Sequence, residues 1–463
     1  MTTTLRVVRA FDRTLIKEIP SDDAQALVAK LKKAASTLKN RDGWLKPYER
    51  MAILKRAAEL LASEQERFTK LIAQEGGKPL TDAAIEVTRA IDGLNDAAEE
   101  LRHFAGKEIP MGLTQASERR WAFTIKEPIG VVAAISAFNH PLNLIVHQVA
   151  PAIAVGCPII IKPASTTPLC CLELIELLRQ AGLAEAWCQT FITEDNDLAE
   201  RLATDERVAF LSFIGSAKVG WYLRSKLSPG TRCALEHGGA APVIVDRSAN
   251  LSKTTQALVK GGYYHAGQVC VSVQRIFVHK DIITSFMDEF VNRVKGLRVG
   301  DPLLKETEVG PLILPRETER VMSWIDEAVA KGGAKLFGGG RLSETTLIPS
   351  VLLNPAADVK VSQLEIFGPV TCIYEYEKID QAIHTANSLP FAFQASVFSE
   401  DLEPALKAAE SLEASTVLIN EHTAFRTDWM PFTGLKQSGY GIGGIPGTME
   451  EMSKEKMIVL KQN

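Results

Sequence analysis

Gly267-Gln268-Val269-Cys270 sets a thiol on a short loop, and Leu235-Glu236-His237-Gly238-Gly239 sets a carboxylate beside two glycines upstream of it. A cysteine thiolate is a strong nucleophile, and a separate glutamate can deprotonate the water that later releases a covalent product. Cysteine is also among the most buried residue types, so Cys270 taken alone reads first as a core residue. Its neighbours shift that balance. Gly267 lets the loop turn sharply, and Gln268 is a polar residue at the head of the apolar pair Val269 and Val271. Asn139, in Ala137-Phe138-Asn139-His140-Pro141, is either an amide donor to an oxyanion or a turn former before His-Pro. Lys162 closes a run of three isoleucines and either meets an anionic or hydroxylated ligand or extends its stem along a sheet edge. Glu236 is either a buried base or a capping partner.

An alternating pattern positions these residues. Strands are predicted at Val131–Ser136, Pro158–Lys162, Val208–Phe213, Thr231–Leu235 and Ala241–Val245, with helices at Asn143–Ala154, Pro168–Ala181 and Ala217–Lys226. Strands alternating with helices imply an α/β fold with a mostly parallel sheet, covered on both faces. Ligands bind such sheets at the carboxyl ends of the strands, where Asn139, Lys162 and Gly215-Ser216 fall. A second α/β block follows Leu251, with strands at Ser272–His279, Ile348–Leu353, Val370–Tyr376, Ala395–Phe398 and Val417–Asn420. Three amphipathic helices precede the first block, over Asp22–Leu38, Tyr48–Gln74 and Thr81–Phe104. Gln115–Lys126 alternates charged and apolar residues and reads as an exposed hairpin or arm. Lys456–Lys461 reads as a terminal strand without a partner in its own domain, suited to adding to another subunit's sheet. No G-x-G-x-x-G stands at a strand-to-helix turn of the first block, so the usual dinucleotide fingerprint is missing.

Composition narrows the function classes. A chain of 463 residues exceeds a single core and implies two or three domains. A net charge of −4 without a basic block gives no footprint for nucleic acid or an anionic membrane. Seven scattered cysteines fit free thiols in a reducing, cytoplasmic compartment, and their spacing is unlike a zinc site, so no metal is expected. The longest apolar stretches are too short and too interrupted to span a bilayer.

Eight motifs then carry a resemblance. Phe138-Asn139-His140-Pro141, Ile161-Lys162-Pro163, Gly215-Ser216, Leu235–Gly239, Gly267–Cys270 and Glu365-Ile366-Phe367-Gly368-Pro369 stand in the order found in the aldehyde dehydrogenase superfamily. Glu75-Gly76-Gly77-Lys78-Pro79 and Pro431–Gly439 extend the similarity over nearly the whole chain. The resemblance implies two Rossmann-type α/β domains and a small β oligomerisation element. The cofactor-binding domain would comprise residues 1–106 and 128–238, the catalytic domain 239–445, and the arm and tail 107–127 and 446–463. It implies that Cys270 attacks an aldehyde, that Asn139 and the Cys270 N–H hold the oxyanion, and that hydride leaves to NAD or NADP. Glu236 then activates the water that hydrolyses the thioester. Ser136, Phe138, Lys162, Ser165, Gly215, Ser216, Glu365 and Phe367 occupy the family's cofactor-contacting positions. The partners implied are a small aldehyde and further copies of the chain, as a homodimer or homotetramer.

The chain departs from the common pattern in three places. Ser165 stands where many members carry a glutamate that would repel a 2′-phosphate, so NADP is expected to be accepted, alone or beside NAD. Ile214 replaces a threonine. His237 replaces a leucine and either tunes Glu236 or fills space. His140 and Arg426 resemble subfamilies acting on small polar or anionic aldehydes such as lactaldehyde, glyceraldehyde 3-phosphate and phosphonoacetaldehyde. Arg426 has the fork geometry to clamp an anion, and can equally pair with Asp428 or another acid. Transfer of the thioester to coenzyme A and a non-catalytic structural role are the competing functions; the first needs no base such as Glu236.

Overall fold

The apolar runs assemble into two mostly parallel sheets that meet at a shared cleft. The computed structural model describes residues 4–462. One sheet has six strands, in spatial order Gly439–Tyr440, Arg232–Glu236, Val208–Ile214, Val131–Ile135, Ile159–Lys162 and Cys188–Thr190. Every neighbour is parallel except the outermost Gly439–Tyr440. Its middle strand is buried from Val131 to Ala134, as a parallel strand covered on both faces must be. The helix Asn143–Val155 is buried along its whole length and stops at Gly156, whose left-handed backbone glycine tolerates at low cost. The second sheet has seven strands, ordered Ala334–Phe337, Ser350–Leu353, Val370–Tyr376, Val273–His279, Ala241–Val245, Gln394–Phe398 and Thr416–Ile419. Only the edge strand Ala334–Phe337 runs antiparallel. A third, antiparallel sheet joins Ser453–Lys461, Arg120–Pro128 and Glu108–Ile109. The expected α/β fold with two Rossmann-type sheets and a small β element is present.

Three local expectations are corrected. The terminal strand has a partner in its own chain: Ser453–Lys461 pairs residue for residue with Arg120–Pro128. Alternating charges hid the match, because Lys454 faces Glu127 and Glu455 faces Lys126 across the ladder. The helix expected over Tyr48–Gln74 is two helices, Pro47–Ser63 and Gln65–Gly76, broken at Glu64 without help from glycine or proline. A hairpin of Thr4–Val8 and Leu15–Pro20 precedes the helices, and its second strand is too polar and exposed to show a strand period. Among the described residues, no helix is long and apolar enough to cross a membrane.

Candidate active site

The cysteine loop is a strained turn held from both sides. After the helix Leu251–Tyr263, His265, Ala266 and Gly267 all take left-handed angles, with φ of 48°, 53° and 71°. Non-glycine residues rarely adopt them, and such strain persists only where surrounding contacts enforce it. Glycine is required at 267, where a Cβ would lie 2.1 Å from the Gly368 carbonyl oxygen. Gln268 is buried and acts as the anchor. Its Nε2 donates to the carbonyls of His265 and Pro311, both at 3.2 Å, and its Oε1 accepts the Ile313 N–H at 2.9 Å.

Asn139 lies beyond the carboxyl end of the strand Val131–Ile135. Its Nδ2 donates one N–H to the Gln268 carbonyl at 2.9 Å, which fixes the amide beside the cysteine loop and leaves its second N–H available. Glu86 steadies the following helix, its Oε1 accepting the N–H groups of Leu142 and Asn143 at 2.9 and 3.1 Å while Lys78 pairs with its other oxygen. Glu236 closes the strand Arg232–Glu236 in the same sheet. Asn139, Glu236 and Cys270 line one cavity of about 900 Å³, together with Ser136, Phe138, His140, Gly215, Ser216, Glu365, Phe367 and Arg426. Lys162 and Ser165 sit just outside that lining, with Ala164 between them on its wall. Lys162 remains adjacent to it, because its carbonyl accepts the Ser136 N–H at 3.0 Å.

Burial sets the electrostatics. It pushes the Cys270 thiol well up; nearby Glu236 and Glu365 push the same way and Arg426 opposes them. Burial also raises Glu236, against Arg426, and raises Glu365 to about 8. Thiol and carboxyl groups thus hold protons more tightly here than in water. Glu365 Oε1 has no hydrogen-bond partner and occupies the space a Cβ at Gly238 would need, only 1.6 Å away. His237 turns away from Glu236. Its Nδ1–H donates to the Gly215 carbonyl at 2.8 Å, and its ring packs over Gly220 between Phe213 and Trp221.

At the far end of the cavity, the pair left open for Arg426 does not form. Asp428 is instead engaged by Arg89 at 2.7 and 3.1 Å, by Asn143 at 3.0 Å and by His147 at 2.6 Å. Arg426 lies with its guanidinium carbon 3.5 Å from the centre of the Phe432 ring and reaches His147 Nδ1 at 3.2 Å. Its Nε is buried without a partner. Arg89, Tyr264 and His147 join the site without a motif to mark them. Arg89 sat on a helix read as a cover, and Tyr264, 3.3 Å from His140 Nε2, sat at the end of another. Their only signal is spatial, since Asp428 lies 339 positions from Arg89 and 281 from His147.

Residues 1–458 match the model of the aldehyde dehydrogenase family. A 3-sulfolactaldehyde dehydrogenase of Priestia aryabhattai is 40% identical over 439 residues, spanning 95% of this chain and 90% of that protein. A lactaldehyde dehydrogenase of Methanocaldococcus jannaschii is 35% identical over 98% of this chain and 97% of its own. Among solved structures, aldehyde dehydrogenase 21 from Physcomitrella patens, in complex with the reaction product succinate, superposes with a TM-score of 0.96 at 34% identity, covering 99% and 95% of the two chains. A glyceraldehyde-3-phosphate dehydrogenase from Methanocaldococcus jannaschii complexed with NADP gives 0.94 at 34% identity over the full length of both. With a family model that spans the fold and relatives alike in sequence and structure, this chain belongs to the aldehyde dehydrogenase family.

Proposed function

We propose that this enzyme oxidises a small anionic aldehyde to its carboxylic acid with NAD or NADP, through a thioester on Cys270. The observation that carries this reading is the meeting of Cys270, Asn139 and Glu236 in one cavity. Cys270 Sγ gives up its proton to solvent and adds to the carbonyl carbon as the C=O bond opens to an oxyanion; loss of hydride from that carbon restores the C=O bond and leaves the thioester. The free N–H of Asn139 and the Cys270 backbone N–H donate to the oxygen as it becomes negative, a preorganised arrangement that costs nothing at the moment of reaction. Glu236, raised by burial, has the basicity to take a proton from water, and the resulting hydroxide attacks the thioester to free the acid and the thiol.

The residues present fit a dinucleotide. Ser136 Oγ and Glu365 Oε1 are buried, lack partners and line the same cavity, and the bare backbone of Gly238 leaves room beside Glu365. Glu365, Phe367, Ser136, Phe138, Gly215, Ser216, Lys162 and Ser165 would hold it, and when bound it supplies the hydride acceptor. Ser165 lacks the charge that repels a 2′-phosphate. Burial lowers the Lys162 ammonium's hold on its proton, with nearby Glu194 opposing it.

Arg426 supports an anionic substrate, and Arg89 and His140 line the same cavity. Sulfolactaldehyde and the succinate and phosphate chemistry of the relatives fit that charge. We also propose that the chain is cytoplasmic, consistent with seven free cysteines, and that a second copy covers the three-stranded sheet. Rapid mixing of Glu236→Gln with aldehyde and NADP should show a full first-turnover burst of reduced cofactor followed by slow turnover. Acid should form without coenzyme A. A Glu236→Gln enzyme with wild-type steady turnover would remove the hydrolytic role, and strict dependence on coenzyme A would replace it with acyl transfer.

A further inference from the structure

His147 stands four positions after Asn143 on the buried helix Asn143–Val155, so both side chains reach one carboxylate oxygen, Asp428 Oδ1. Asp428 is ionised: against its burial, His147 and Arg89 hold it well below the usual carboxylate range. A carboxylate only accepts, so the Nε2 of His147 carries the hydrogen. Burial and the charge of Arg426 lower the ring to about 4, so it is neutral at physiological pH. Its Nδ1 is therefore a lone pair, and it accepts from Arg426 Nη2 at 3.2 Å. The other contact of that guanidinium is the face of Phe432, also uncharged; Glu236 and Asp428 favour its charge from a distance, and neither forms an ion pair with it. A carboxylate in the same place would hold Arg426 equally well and would cancel its charge.

We propose that His147 is a positioning residue that aims Arg426 into the cavity with a lone pair instead of a counter-charge, keeping the guanidinium's positive charge for an anionic group of the aldehyde. This rests on the reading of Arg426 as the anion contact. The test is the ratio of kcat/KM for succinate semialdehyde to that for butanal, which is independent of the fraction of enzyme that is folded. His147→Asn keeps an acceptor where Nδ1 stands, whereas His147→Gln keeps a group near Nε2 and loses the acceptor. Hydrogen bonds to charged groups are worth enough that His147→Gln should lower the ratio about tenfold. His147→Asn should retain most of it, and His147→Gln should add nothing in an Arg426→Ala background. Equal losses in the Asn and Gln variants, or a His147→Gln effect that persists without Arg426, would overturn the proposal while leaving the anionic substrate in place. An Arg426→Ala enzyme that kept the wild-type ratio would remove both.

Discussion

At the scale of single residues, the proposed chemistry depends on two donors converging on one oxygen. The Asn139 amide is fixed by its bond to the Gln268 carbonyl, within the loop that carries Cys270, so nucleophile and donor move together. Asn139→Ala is therefore expected to cost about 3–4 kcal/mol of barrier, read as a fall of two to three orders of magnitude in the single-turnover rate. Cys270 lines the cavity, and the other six cysteines are buried, so iodoacetamide should modify one thiol per chain. Because Glu236 and Glu365 oppose the thiolate, Glu236→Gln should alkylate faster than wild type at pH 8.5 without cofactor. Slower alkylation would mean that Glu236 serves Cys270 as a base. These residues were legible in the sequence because each sits in a short motif with its own glycine, proline or asparagine signal. The Asp428 hub was not, because its partners come from helices hundreds of positions away whose charged residues look like solvated faces.

At the scale of elements, close backbone approaches decide where the motif residues end up. Gly238 lies under Glu365, so Gly238→Ala pushes a flexible carboxylate aside, not a backbone. The expected result is a KM for NAD or NADP raised roughly tenfold, with a melting temperature close to wild type. Gly267 is different. A Cβ there meets the Gly368 carbonyl at 2.1 Å on a residue with φ of 71°. Gly267→Ala should cost about 1 kcal/mol in backbone conformation alone and also displace the cysteine loop from the Glu365–Pro369 segment. It should lower both melting temperature and turnover. Most strands and helices were legible from apolar runs ending at glycine or proline. The break at Glu64 and the pairing of Ser453–Lys461 with Arg120–Pro128 were not, since neither depends on those residues. Packing sets the first, and cross-strand charge matching sets the second.

At the scale of the whole molecule, two surfaces of very different polarity make testable demands. On the three-stranded sheet, Trp121 faces Leu460 and Phe123 faces Ile458 across the ladder, and Trp121, Phe123 and Leu460 are exposed. An exposed apolar stripe of that kind calls for a partner. Trp121→Glu should shift the species seen by light scattering to a smaller one, and an unchanged mass would move the interface elsewhere. The buried polar hub around Asp428 imposes a pH dependence. His147 is lowered to about 4 in the fold from 6.5, so between those values the unfolded chain binds a proton that the folded chain refuses. Stability then falls with falling pH, by about 1.4 kcal/mol per pH unit at most from this group. Half-buried His140 and buried His265, both held well below 6.5, act with the same sign, as do His237 and His422. Asp428 has a depressed folded value, so its contribution is complete above the unfolded value of 3.8 and drains away below it. Glu365 and Glu75, raised by burial to about 8 and about 7, act with the opposite sign over the interval from pH 7 to pH 5, so the contribution of His147 is read as a difference between wild type and variant. Relative to wild type, the urea midpoint of His147→Gln should fall less, or rise more, over that interval, because one histidine of this sign no longer titrates. Parallel pH profiles for the two proteins would mean that His147 already carries its proton in the fold, and the lone pair facing Arg426 would not exist.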